Sequence, residues 1–312
     1  MGENLPLIID RARLAGKLSF FQYLQARKMF PALKGIKLTE GTITYHPSEY
    51  KSRLHFGLGV NEAIASVEVF ALPNKKCSLI FGVWPHRCTG TRFQEFHSAI
   101  TSILPDDEFT YKSVFYEGHI QHIEYAYDLL NIKMHSFLPW TARAKFSDCY
   151  KEQHLGMDED KGTIYIGAKN SPIRFSVYNK ALKMEKDGLI NAHPIRSRLE
   201  AIVFEPYRLG SLVQRLRPCE LDKQLNPFRF LEISELDTAR KLSENPDWQW
   251  FLDISEYGGA PAAFVEVFAT KKERLKARQM LRQCAAKWWN PANAWEGHIQ
   301  ANAAIHPATL LQ

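Results

Sequence analysis

The chain lacks most of the features that announce a function on their own. Its five cysteines, Cys77, Cys88, Cys149, Cys219 and Cys284, are odd in number and include no Cys-x-x-Cys pair. That argues against a disulfide framework or a thiolate zinc site, and for a reducing compartment. No apolar run approaches the roughly 20 residues of a membrane helix, so no membrane partner is expected. Met1 to Asp10 offers neither a basic n-region nor a long apolar core, so no secretory signal is expected either. There is no low-complexity segment and no short-period repeat. No Gly-x-x-x-x-Gly-Lys loop is present to cradle a nucleotide, which argues against an ATPase. Charge is modest too: 40 Lys and Arg against 34 Asp and Glu leave a formal +6, which permits a nucleic-acid partner without requiring one.

What is present is an ordinary globular composition over 312 residues, enough for one large or two medium domains. Residues 1–35 read as a mostly helical segment. Strands are expected at 37–46, 52–59, 65–72 and 77–83, separated by turn signals such as His46-Pro47 and Pro73-Asn74. Arg92 to Leu104 reads as a helix, with Phe93, Phe96, Ile100, Ile103 and Leu104 at helical spacing. Further strands are expected at 109–116, 119–129, 163–168, 173–180 and 196–204, with a polar, partly helical insert at 139–160. After Pro206 the pattern is helical, at 207–217, 235–243, 246–255 and 270–289. The expected fold is therefore α+β, with mostly antiparallel β-sheets in two β-rich halves flanked by helices. The halves span 36–117 and 118–205, between an N-terminal helical segment 1–35 and a helical C-terminal region 206–312. They are candidates for one fold used twice, although no sequence self-similarity supports that.

Three strands carry polar faces that could do chemistry. In 173–180, Ile173, Phe175 and Val177 point one way, while Arg174, Ser176, Tyr178 and Lys180 point the other. A phenol between cations suits attack on a phosphodiester; a hairpin with one solvated face would look the same. In 119–129, His122, Glu124 and Asp128 share a face, and carboxylates suit hard cations such as Mg²⁺ or Mn²⁺. Residues four apart in a straight strand lie about 13 Å apart, so one ion could hardly be held by both Glu124 and Asp128. In 196–204, Arg196, Arg198 and Glu200 share a face, suited to gripping phosphate and completing a metal site, or to a surface ion pair. If the strands are neighbours, these faces merge. A tyrosine with its ordinary pKa of about 10 needs help to act as a nucleophile at neutral pH.

Together these motifs resemble the Rep_trans family of rolling-circle replication initiation proteins, whose relatives include relaxases of mobile elements. The matching residues are Thr163-Ile-Tyr-Ile-Gly167-Ala-Lys169-Asn-Ser171, then Arg174 and Val177-Tyr178-Asn179-Lys180. Arg198-Leu-Glu200 and His122-Ile-Glu124-Tyr-Ala-Tyr-Asp128 complete the pattern, with Glu124 where aspartate is usual and His122 where arginine is. The match covers about 118–205. The resemblance implies a cytoplasmic bacterial enzyme that nicks origin DNA, hairpin or single-stranded at the nick. Tyr178 would become linked to the 5′ phosphate, assisted by Lys180 and Arg174. Glu124, Asp128 and Glu200 would hold Mg²⁺ or Mn²⁺, and Lys169, Arg196 and Arg198 would meet phosphates. A free 3′ hydroxyl would prime a host polymerase, and a host helicase would unwind beyond the nick. A homodimer is one assembly to be considered.

Outside that match, residues 271–289 hold seven cations and one anion. Arg274, Arg278 and Arg282 form one stripe, opposite an apolar stripe of Ala277, Leu281, Cys284, Ala285 and Trp288, which suits a helix docked on the protein and facing DNA. A solvated charged face is the plain alternative. Other nicking chemistries fit less well. The chain has no His-x-His, and His193-Pro-Ile-Arg196 is followed too closely by Tyr207 to make a tyrosine recombinase site. A relaxase with the same chemistry, and a non-catalytic origin-binding protein, remain the competing expectations.

Overall fold

A computed structural model describes residues 5–39, 41–49, 51–57, 63–71, 77–88, 90–103, 114, 117–144, 147–151, 162–186, 196–206, 215–306 and 309. The fold is α+β, built largely of antiparallel strand pairs. The chain forms two compact units. The first comprises Met1–Leu7, Ala126–Val203 and Asn226–Gly297; the second comprises Ile8–Tyr125, Phe204–Leu225 and His298–Gln312.

The second unit opens with β1 (Ile8–Leu18), where a helix was expected. Ala, Leu, Arg and Lys favour helix on their own, but β1 pairs with β6 (Cys77–Val83) from Ala12↔Val83 to Leu18↔Cys77. Tertiary pairing overrides propensity here. The helix begins only at α1 (Phe20–Met29), where Ser19 and Gln22 form a capping box. The expected strands follow as β2 (Lys37–Leu38), β3 (Gly41–Pro47), β4 (Lys51–Gly57) and β5 (Ala63–Ala71). The sheet order is β2-β3-β4-β5-β6-β1. Helix α2 (Gly90–Ile103) packs on one face, with Phe93 against Phe81 and Phe96 stacked on Phe56.

The first unit repeats this order without repeating the sequence. Strand β7 (His119–Leu130) runs out of the second unit into the first, where β12 (Arg196–Phe204) lies beside it. Beyond β12 come β11 (Ile173–Asn179), β10 (Gly162–Ile166) and β9 (Ser147–Lys151). In each unit a long opening strand is joined later by the last strand of an antiparallel meander. The expected polar insert thus contributes β8 (Phe137–Trp140) and β9 rather than helix. Expectations for 109–113, 115–116, 152–160 and 207–214 lie outside the described residues.

Helices α4 (Leu236–Leu242), α5 (Pro246–Gly258), α6 (Ala260–Val267) and α7 (Lys271–Gln283) gather over β8 and β13 (Glu232–Glu235). Trp140, Phe251 and Phe264 are fully buried there, each such side chain contributing about 1.5–3 kcal/mol. Two differences from the sequence reading matter. α6 had no counterpart in it, and α7 ends at Gln283, well short of Trp289.

Candidate active site

The register of β11 with β12 sets Tyr178 opposite Arg198 and Ser176 opposite Glu200. Directly opposed residues share a sheet face, so the phenol and the carboxylate meet on a short diagonal. Tyr178 Oη donates to Glu200 Oε1 at 2.6 Å, and Ser176 Oγ donates to Glu200 Oε2 at 2.6 Å. One carboxylate thus receives two hydroxyls. This face is not solvated, as a simple hairpin would have it: Ser176 is 1% exposed, Tyr178 5% and Glu200 8%. Burial is tolerated because the polar groups satisfy one another.

Beside this pair lies a second buried cluster. Arg198 donates to Asp128 through Nε at 2.6 Å and through Nη2 at 2.8 Å. Arg196 adds Nε at 3.0 Å and a second contact from Nη2. Burial by itself would raise the Asp128 carboxyl. Hydrogen bonds and charge from Arg198, then from Arg196, outweigh it and hold the carboxyl below its ordinary range. The two arginines expected to grip phosphate therefore have a carboxylate as their partner.

Lys180 leaves the strand. It opens α3 (Lys180–Lys186), and Asn179 accepts the backbone N–H of Leu182 at 3.2 Å. The turn of that helix carries Lys183 back, with its Nζ 4.8 Å from the centre of the Tyr178 ring. Lys183 is a neighbour of the phenol that strand alternation could not offer. The signal was Asn179, a capping residue at the end of the strand pattern. Arg174, four residues from Tyr178, lies instead over the Tyr165 ring at 4.0 Å. Lys169 sits in the turn between β10 and β11, at the end of the hairpin away from Tyr178.

Glu124 faces His122, with Oε1 and Nε2 3.0 Å apart, and the His122 ring stacks on Phe204 at 4.9 Å. Glu124, Asp128 and Glu200 therefore each keep separate company. Among the described residues no group of three or more His, Cys, Asp or Glu comes together as a metal ion would require. As these side chains stand, they do not fit a shared ligand set for Mg²⁺ or Mn²⁺.

The arginine stripe of α7 is engaged within the first unit. Arg274 donates to the carbonyls of Phe268 and Ala269 at 2.9 and 2.8 Å, just past the end of α6. Arg282 makes a two-point pair with Glu232 at 2.8 and 3.0 Å. The Arg278 guanidinium lies 5.1 Å from the centre of the Phe264 ring. Ala277, Leu281 and Cys284 are buried as the apolar stripe requires, whereas Ala285 is exposed. Lys271, Lys272 and Lys276 are exposed on this helix, as is the paired Arg282.

No protein-family model matches the chain, and no curated protein matches it. Among solved structures it is similar to a rolling circle replication initiator protein from Geobacillus stearothermophilus. Identity is 15% and the TM-score 0.36, over 83% of this chain and 98% of that one. It is also similar to a protein from the dynemicin biosynthetic locus, at 11% identity and TM-score 0.20, over 62% of this chain and 86% of that one. Overlaps this loose carry no argument about the activity of this chain.

Proposed function

We propose that this protein nicks and rejoins one DNA strand through Tyr178, as a rolling-circle replication initiator does. The observation that carries the reading is the 2.6 Å contact of Tyr178 Oη with Glu200 Oε1. A weak nucleophile in hydrogen-bond reach of a base is the recurring arrangement of covalent catalysis. Glu200 takes the phenolic proton as Tyr178 Oη bonds to phosphorus. The bond from phosphorus to the 3′ oxygen breaks, and that oxygen takes the proton back through the Glu200 carboxyl. The products are a 5′-phosphotyrosine link and a free 3′ hydroxyl, and the reverse sequence rejoins the strand. Ser176 holds the other Glu200 oxygen and so fixes the base, while Lys183 over the ring favours a developing phenolate. Arg196 and Arg198 position β12 through Asp128.

Mg²⁺ or Mn²⁺ stays within the proposal as an addition to which no step is assigned, since the three carboxylates do not stand as its ligands. A host polymerase extending the 3′ end and a host helicase follow from the same reading, as does a relaxase acting in transfer. A second reading, an origin-binding protein without strand transfer, is favoured by the depth of Tyr178, which is 5% exposed. The discriminating experiment compares wild type with Glu200→Gln on a supercoiled plasmid carrying the gene and its flanking DNA, with Mn²⁺ and with EDTA. Loss of nicking with DNA binding retained supports the enzyme; equal nicking by the variant removes Glu200 as the base.

A further inference from the structure

The sheet of the second unit has a face that α2 does not cover, and its composition is unlike that of a plain solvated surface. Register places Arg13, Gly82, Ser66, His55 and Thr44 in one row across β1, β6, β5, β4 and β3. The next row aligns Glu68 with Arg53 and His46. Phe56 and Phe81, which meet α2, alternate with these residues and point away.

Glu68 is 2% exposed and receives three cations: Arg13 at 3.3 Å, Lys51 at 2.5 Å and Arg53 at 2.6 Å. One carboxylate cannot neutralise three cations. Their side chains still reach solvent, 23% exposed for Arg13, 38% for Lys51 and 37% for Arg53. Arg11 adds a fourth positive charge, 4.9 Å from the centre of the Trp84 ring. The buried Nε atoms of Arg11 and Arg53 have no hydrogen-bond partner among the described residues. Even with Glu124 acting on Arg13 from β7, these four cations face two carboxylates among the described residues.

Aromatic rings run through the same patch. Trp84 meets His55 edge-on at 6.2 Å, and His55 meets His46 at 6.5 Å. Burial, then His46, Arg53 and Arg11, lower the His55 pKa, so its ring is neutral near pH 7. Gly82 keeps the floor beside Trp84 low, since a Cβ there would lie 2.6 Å from Ser66 Oγ. Cations in excess, half-buried and interleaved with rings, match phosphates joined to unstacked bases. Duplex DNA would offer the phosphates but keep its bases stacked away from the rings.

We propose that this face of the second unit binds single-stranded nucleic acid, with Arg11, Arg13 and Arg53 on phosphates and Trp84 and His55 against bases. Binding there does not depend on the nicking chemistry.

The test is fluorescence anisotropy of a labelled oligo-dT of about 20 nucleotides with the full chain, titrated at several salt concentrations. Among the described residues Arg11 forms no ion pair, so Arg11→Ala should retain the fold, as circular dichroism and thermal melting would report. The expected result is weaker binding and a salt slope flattened by about 0.7 for the lost phosphate contact. Trp84→Leu, which leaves charge unchanged, should weaken binding about tenfold, in keeping with the loss of one stacked base. Unchanged affinity in both surface variants, or no oligo-dT binding at low salt, overturns the proposal. So does competition by duplex DNA or polyglutamate as effective as that by unlabelled oligo-dT.

Discussion

At the scale of residues, two buried carboxylates have different partners. Glu200 receives two hydroxyls, whereas Asp128 receives guanidiniums and is held charged. Because the folded Asp128 carboxyl lies below its ordinary value of about 3.9, its contribution to stability is present above that pH. The contribution is lost as pH falls through the folded value. Asp128→Asn should therefore flatten the acid limb of the stability curve below about pH 4. At neutral pH it should cost roughly 3–5 kcal/mol by leaving Arg196 and Arg198 without their anion. Urea unfolding across pH measures both; a variant as stable as wild type at pH 7 would contradict the clamp. Alternation in the sequence put Tyr178 and Glu200 on the polar faces of their strands, but Glu200 was expected as a metal ligand and not as the partner of the phenol. It could not reveal that Arg198 serves Asp128, because that pairing depends on which strand lies beside β12.

At the scale of elements, the corner between α5 and α6 holds β9 in place. Ser147 Oγ donates to the carbonyls of Gly258 and Gly259 at 2.8 and 3.0 Å and accepts from the N–H of Ala262 at 2.9 Å. Gly259 has φ 83°, and a Cβ there would lie 2.8 Å from the Ser147 side chain. Gly259→Ala should cost at least about 1–2 kcal/mol from the left-handed backbone alone, read as a lowered melting temperature; an unchanged melting temperature would mean the corner relaxes freely. On α7 the arginines hold carbonyls, Glu232 and Phe264, so under the proposed function the exposed lysines would be the better phosphate contacts. Lys276→Ala should flatten the salt dependence of DNA binding more than Arg278→Ala; the opposite order would return the stripe to DNA. The periodicity of α7 was readable, but the engagement of its polar stripe was not, since Glu232 and the end of α6 are distant or irregular in sequence. β1 escaped notice because its helix-forming composition is overruled by pairing with β6.

At the scale of the molecule, two units carry a similar strand order on unrelated sequences, and they present different side chains. The first places a tyrosine against a carboxylate, and the second presents cations and rings. The α+β class was legible from strand and helix patterns. That the β-rich halves are one fold used twice was raised by their similar runs of strands, but the strand order itself was not readable, because it depends on pairings that a meander's sequence does not encode. The most direct test of the central claim is to treat the supercoiled plasmid carrying the gene and its flanking DNA with wild type and Tyr178→Phe, quench in SDS, and digest the adduct for mass spectrometry. The account predicts relaxed circles and a nucleotide on the Tyr178 peptide with wild type, and neither with Tyr178→Phe. Nicking by Tyr178→Phe at the wild-type rate, or an adduct on any other residue, would contradict it.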